Sequence, residues 1–164
     1  MRTIRRAVKI NLPAEQVFGM LANSANERHW MFGVTGSERR TPGPLRRGTE
    51  MICKFGFGPI TTVKMDAVID EFEPGRRFVR RRVGGAMAMK GELVAEPNGT
   101  VTNFGWTMEV GLKVPVIGPL LDPLLAAWMN MSMALSMNKF KALAESKRIV
   151  PNTAEEMERV PNNS

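Results

Sequence analysis

Side chains that carry chemistry are scarce in this sequence: one histidine, one cysteine and no tyrosine among 164 residues. A lone Cys53 excludes an internal disulfide and fits a reducing compartment. His29 and Cys53 alone cannot furnish a structural zinc site, so no metal is expected. A Ser-His-acid triad would have to recruit His29 with Asp122 or Glu27, and nothing in their spacing supports it. Phosphate-cradling glycines are missing as well. Gly56-Phe57-Gly58 lacks the Lys-Ser/Thr pair and the following helix, so no nucleotide cofactor is expected. The opening MRTIRRAVKINLPAEQ has no apolar h-region, which points to the cytoplasm rather than to export.

Acidic residues are also in short supply. Against 23 Lys and Arg stand 16 Asp and Glu, for a net charge of +7. The excess gathers in Arg2, Arg5, Arg6 and Lys9, and again in Arg76, Arg77, Arg80, Arg81 and Arg82. Such a balance favours anionic partners. No helix-turn-helix, finger or aromatic-basic motif accompanies it, so nucleic acid is not expected. Basic residues that alternate with apolar ones read first as the solvated face of a sheet. Weak contact with an anionic membrane surface and homodimerisation stay open.

What the chain does have is a long apolar stretch, VPVIGPLLDPLLAAWMNMSMALSM, from Val114 to Met137. Pro115, Gly118, Pro119, Asp122 and Pro123 crowd its first half and leave too little for the roughly 20 residues of a bilayer span. The stretch instead predicts a long helix starting near Pro119 or Pro123, with Asp122 as N-cap, and ending about Glu145. A helix apolar around most of its girth needs cover around most of its girth. It should lie across a sheet and face an internal space.

The rest of the chain supplies that sheet. Residues 2–11 predict a strand, Pro13 opens a short helix over AEQVFGMLAN, and Ser24-Ala-Asn-Glu27 reads as a capping box for a second short helix ending at His29-Trp30. From Gly33 the period turns to two, broken by turn signals such as Thr41-Pro-Gly-Pro44, Glu73-Pro-Gly-Arg76 and Glu96-Pro-Asn-Gly99. Strands are predicted over 34–40, 48–55, 60–72, 77–83, 86–96 and 100–110, joined as an antiparallel meander. Residues 111–119 and the 56–59 hairpin are expected to form a mobile lid. Residues 1–146 are taken as one ligand-binding domain and 147–164 as a flexible tail.

The segments INLPAEQVFGMLANSANERHWM, ERRTPGPLRRGTE, AVIDEFEPGRRFVRR, MKGELVAEPNGTVTNFGWTMEV and LLDPLLAAWMNMSMALSMNKFKAL, in that order, resemble the START/birch-pollen-allergen superfamily. The nearest branch is the polyketide cyclase/dehydrase and lipid-transport-like family, over roughly residues 3–145. The resemblance implies an α+β helix-grip fold, in which a curved seven-stranded antiparallel sheet wraps the C-terminal helix. Two short helices sit between strands 1 and 2, and a cavity for hydrophobic small molecules lies between sheet and helix.

Strand alternation nominates the cavity residues. Met51, Cys53 and Phe55 share a face, as do Met65, Ala67 and Ile69, then Met87, Met89 and Leu93, then Phe104, Trp106 and Met108. The long helix adds Leu121, Leu124, Leu125, Trp128, Met129 and Met133. Thirteen methionines give such an interior unbranched, polarizable walls that suit irregular apolar ligands, although each residue alone also reads as ordinary core packing. In FVRRRV, a register with Phe78 inward would carry Arg80 inward too, whereas Val79 and Val83 inward would leave Arg80 in water. No catalytic residue is assigned. Three readings remain: a non-catalytic binder or carrier of a lipid-like or polyketide-like molecule, a cyclase/dehydrase acting in the same cavity, and a regulatory partner protein. The apolar interior favours the first.

Overall fold

Alternating apolar and polar residues, punctuated by glycine turns, build an antiparallel sheet in the computed structural model, which describes residues 1–56, 58–59 and 62–151. The strands are β1 (Arg2–Ile10), β2 (Val34–Arg39), β3 (Glu50–Gly56), β4 (Thr62–Glu73), β5 (Arg77–Arg82), β6 (Met87–Asn98) and β7 (Val101–Leu112). Helices α1 (Ala14–Ala22) and α2 (Glu27–Trp30) lie between β1 and β2, and α3 (Ile117–Glu145) follows β7. Among the described residues the seven strands form one sheet in the order β1-β7-β6-β5-β4-β3-β2, every pair antiparallel. The helix-grip architecture is therefore present, with α3 packed against β1 and β7.

The core is a belt of aromatic rings. Trp30 meets Phe104, Trp106 and Phe140 edge-on, with ring centroids 5.1–6.2 Å apart, and Phe18 packs on Phe72 and Phe78. Rings arranged edge-to-face contribute beyond the area they bury.

Three local expectations are corrected. The capping box does not form. Asn23 caps instead, its side chain accepting the Ala25 N–H at 3.1 Å to start a 3-10 turn over Ser24–Asn26, and Glu27 turns inward. Asp122 is not an N-cap either, because α3 begins a turn and a half earlier at Ile117. Asp122 is buried within the helix, where it accepts the Leu112 N–H at 2.9 Å and pairs with the Met1 ammonium at 3.4 Å. Pro123 is accommodated inside the helix on an exposed side, where the Pro119 carbonyl it leaves without a donor can face water.

The third correction concerns the chain after α3. Ile149 is buried in the core, and the Val150 carbonyl accepts from the side-chain amides of Asn23 and Asn26 at 3.1 and 2.7 Å. The first residues of the expected tail are thus held, and residues 152–164 of that tail lie outside the described residues. Of the expected lid, Phe57 lies outside them too. The connector to α3 is tied by Lys113 N–H to Ala86 at 2.7 Å and Gly118 N–H to Val114 at 2.8 Å.

Candidate functional site

The site is built from β5 outward. Phe78 pairs with Leu93 and Phe72 across the sheet and points at the Phe18 ring, centroids 6.1 Å apart. Alternation then turns Arg80 and Arg82 to the same concave face. Val79 is buried on the opposite face, where its cross-strand neighbours Glu71 and Glu92 are both bonded to Arg77. The register that sequence left open is the one with Arg80 inward.

Arg80 meets a partner that lies 53 positions earlier in the chain. Its Nη1 donates to Glu27 Oε1 at 2.7 Å, the other Glu27 oxygen accepts from the Ser37 hydroxyl, and Nη2 stands 3.7 Å from Met31 Sδ. Side-chain exposure is 14% for Arg80 and 3% for Glu27. Burial by itself would weaken the guanidinium's hold on its proton. The Glu27 carboxylate more than offsets this, and Arg80 stays charged above its ordinary pKa. Beside them burial pushes the Cys53 thiol up, partly opposed by the Arg80 charge.

Above this pair lies a cavity of about 140 Å³ between the sheet and α3. Its walls come from Met31, Phe32 and Val34; from Phe55, Val63, Met65 and Ala67 on β3 and β4; and from Arg80 and Arg82 on β5. Met87, Met89, Gly91 and Leu93 of β6 join Trp106 and Met108 of β7, while α3 contributes Trp128, Met129, Ser132, Met133 and Ser136. Gly91 belongs there for a steric reason. A Cβ on it would stand 3.2 Å from Met108 Cε and 3.5 Å from Trp106 Nε1. Both serines spend their protons on the helix itself: Ser132 donates to the Trp128 carbonyl at 3.0 Å and Ser136 to the Ser132 carbonyl at 2.7 Å. Ser136 Oγ also accepts the Phe32 N–H at 2.9 Å, fastening the end of α2 to α3.

Of the residues nominated from sequence, Phe55, Met65, Met87, Met89, Trp106, Met108, Trp128, Met129 and Met133 stand on the cavity wall. Met51, Cys53, Phe78 and Phe104 do not; they are buried in solid core. Leu121 and Leu124 are off the wall as well, exposed on the outer side of α3, and Leu125 is only partly buried against the core. Sequence reasoning missed Met31, Phe32 and Val34, which follow α2 rather than lying on a long alternating strand. It also missed Val63 and Gly91, whereas Arg82 shares the side of Phe78 and Arg80 by two-residue alternation and stands on the wall with Arg80. Seven of the wall residues are methionines. His29 stays outside: it is exposed at the end of α2, and its Nε2 accepts from Arg28 Nε at 3.2 Å.

Residues 1–145 match the family model described as polyketide cyclase/dehydrase and lipid transport, and the chain belongs to that family. Among curated proteins none matches it by sequence. Solved structures share its fold at low identity. The Zhui aromatase/cyclase from a Streptomyces species superposes with a TM-score of 0.75 at 15% identity, over 90% of this chain and 95% of that one. A protein from Thermus thermophilus gives 0.73 at 17% identity, over 89% and 99%. A START superfamily protein from Mycobacterium smegmatis gives 0.69 at 13% identity, over 88% and 98%.

Proposed function

We propose that this chain binds a hydrophobic small molecule, lipid-like or polyketide-like, in the space between its sheet and α3, without covalent chemistry. The observation that carries this reading is the character of the wall. It is thioether, aliphatic and aromatic, and among the described residues its only charged members are Arg80 and Arg82. Among the described residues no carboxylate, imidazole or thiol lines the space, so the usual acid-base groups are missing from it. Methionine walls yield to the shape of an apolar guest, so a ligand larger than the resting volume can be taken in by rotamer change.

One observation favours a cyclase/dehydrase as the second reading. Arg80 is a fixed, desolvated cation on the wall, suited to steadying an enolate, and the fold is shared with an aromatase/cyclase. The two readings separate in one experiment. Native mass spectrometry of the protein purified from its own host should show a retained small molecule, which is then offered back as substrate. Recovery of that molecule unchanged supports the carrier. Turnover lost in Arg80→Gln overturns it in favour of the enzyme.

The outer side of α3 fits a carrier that meets an anionic membrane surface. Val116, Ile117, Leu120, Leu124, Met131 and Leu135 are exposed there, and Trp128 is partly so. From Lys113 to Ala144 the only acid is Asp122, which is buried. An apolar face without exposed negative charge, on a strongly basic protein, suits headgroups of opposite sign.

A further inference from the structure

The buried polar atoms of the cavity are unequally matched. Among the described residues three buried side-chain polar atoms have no hydrogen-bond partner: Trp30 Nε1, Arg82 Nε and Trp106 Nε1. All three are donors, and two belong to cavity-wall residues. Among the described residues no buried side-chain acceptor is left over. A buried donor without a partner keeps its full desolvation cost, so the resting wall is held in a state that an oxygen atom would relieve.

Charge is unequal in the same sense. Arg80 is neutralised by Glu27 at 2.7 Å. Arg82, two residues on and on the same face, has no carboxylate within salt-bridge distance among the described residues, whereas Arg76, Arg77 and Arg81 on the same strand and its turn each do. Its cross-strand neighbour is Ala67, which offers no polar group. Among the described residues no acidic side chain lines the cavity. A half-buried guanidinium facing apolar walls without a counter-charge is complementary to an anion brought by the guest.

We propose that the ligand of this cavity is an apolar acid, whose anionic oxygen (a carboxylate, enolate or phenolate) pairs with Arg82 while its carbon skeleton lies among the methionines and Trp128. This rests on the reading of the space as a ligand cavity and adds the chemistry of its guest. Arg82 sets specificity in it: apolar molecules of similar shape are told apart by whether they present an oxygen anion at that place. The same logic disfavours amines, which would bring a further donor and a like charge to a wall already rich in both.

The test compares 2-naphthoate with 2-naphthamide, nearly identical in shape and differing in charge, by isothermal titration at pH 7.5 in 50 mM and 500 mM NaCl. Wild-type protein should bind the acid about tenfold or more tighter than the amide, as a charge-assisted pair in a sheltered site requires. Arg82→Gln should abolish that preference, while a thermal unfolding midpoint close to that of wild type reports that the variant is folded. Arg81→Gln removes an exposed cation from the opposite face of β5 and should leave the preference intact at both salt concentrations. Equal binding of acid and amide by wild type overturns the proposal and leaves the cavity reading standing. A preference that survives Arg82→Gln, or that falls equally in Arg81→Gln, overturns the assignment to Arg82. Binding of neither probe overturns the proposal and the cavity reading together.

Discussion

Glu27 and Arg80 form the most buried ion pair among the described residues. Removing one partner leaves the other charged, buried and alone, at roughly 3–5 kcal/mol, whereas removing both for apolar residues of similar volume is often nearly neutral. Urea unfolding should therefore show Arg80→Leu and Glu27→Leu each losing several kcal/mol, and the double variant recovering most of it. A double variant as unstable as the sum of the singles would mean the pair is not coupled. Cys53 makes a pH prediction. Burial raises its thiol pKa in the folded protein, so the unfolded chain loses that proton first, from about pH 8.5 upward. Stability is fully present below that pH and falls as pH rises toward the folded value. Wild type should thus lose stability between pH 8 and pH 10 more steeply than Cys53→Ala, with the slopes compared rather than the absolute values. At this scale sequence reading was limited by distance. Glu27 fits a capping box when only four residues are considered, and its actual partner is supplied by a strand 53 positions away. Alternation showed that Phe78, Arg80 and Arg82 share a side; deciding which side needed the neighbouring strands.

For α3 the decisive contacts are at its entry. A Cβ on Gly118 would lie 2.6 Å from the Leu112 carbonyl oxygen, and that backbone cannot retreat because Asp122 holds the Leu112 N–H. Gly118→Ala should cost roughly 1–3 kcal/mol in thermal or urea unfolding, as overpacking against fixed atoms does. A neutral outcome would show that the helix entry slides freely. The residue before the helix is itself strained. Val116 has φ 69° and ψ −52°, closing a γ-turn through Ile117 N–H to the Pro115 carbonyl at 2.8 Å. The strands were legible to within about two residues at each end because period two and the turn signals agree. The start of α3 was not, because a helix that begins on a γ-turn with two prolines in its first turns offers none of the usual opening signals.

Taken as a whole, the molecule leaves uncovered part of what its sequence suggested it would cover. The all-round apolarity of α3 predicts cover on most sides, yet Leu120 and Leu124 are 77% and 70% exposed. Sequence shows that a surface is apolar, and only the fold shows whether the chain has enough mass to hide it. If that face meets membranes, replacing Leu120 and Leu124 together by serine should weaken sedimentation with phosphatidylglycerol-containing vesicles by about tenfold or more, since two buried leucine side chains are withdrawn. Affinity for 2-naphthoate should stay unchanged, because neither residue lies on the cavity wall. Vesicle binding equal to wild type would remove the membrane from the proposed function.

The strand order also bears on how the protein is made. Of these seven strands β1 is made before the others, yet its partner is the last: Arg2 pairs with Val110 and Ile10 with Thr102. Among the described residues no strand pairs with the other side of β1, and the strand that follows it in sequence lies at the far edge of the sheet. Throughout synthesis of residues 11–100 the basic N-terminal segment is therefore a strand without a ladder, while β2 to β6 can pair in turn behind it. Pairings so distant in sequence slow folding and leave edges open to other chains. Arg2, Arg5, Arg6 and Lys9 put four cations on that edge strand, and charges of one sign on an edge disfavour its pairing with a second copy.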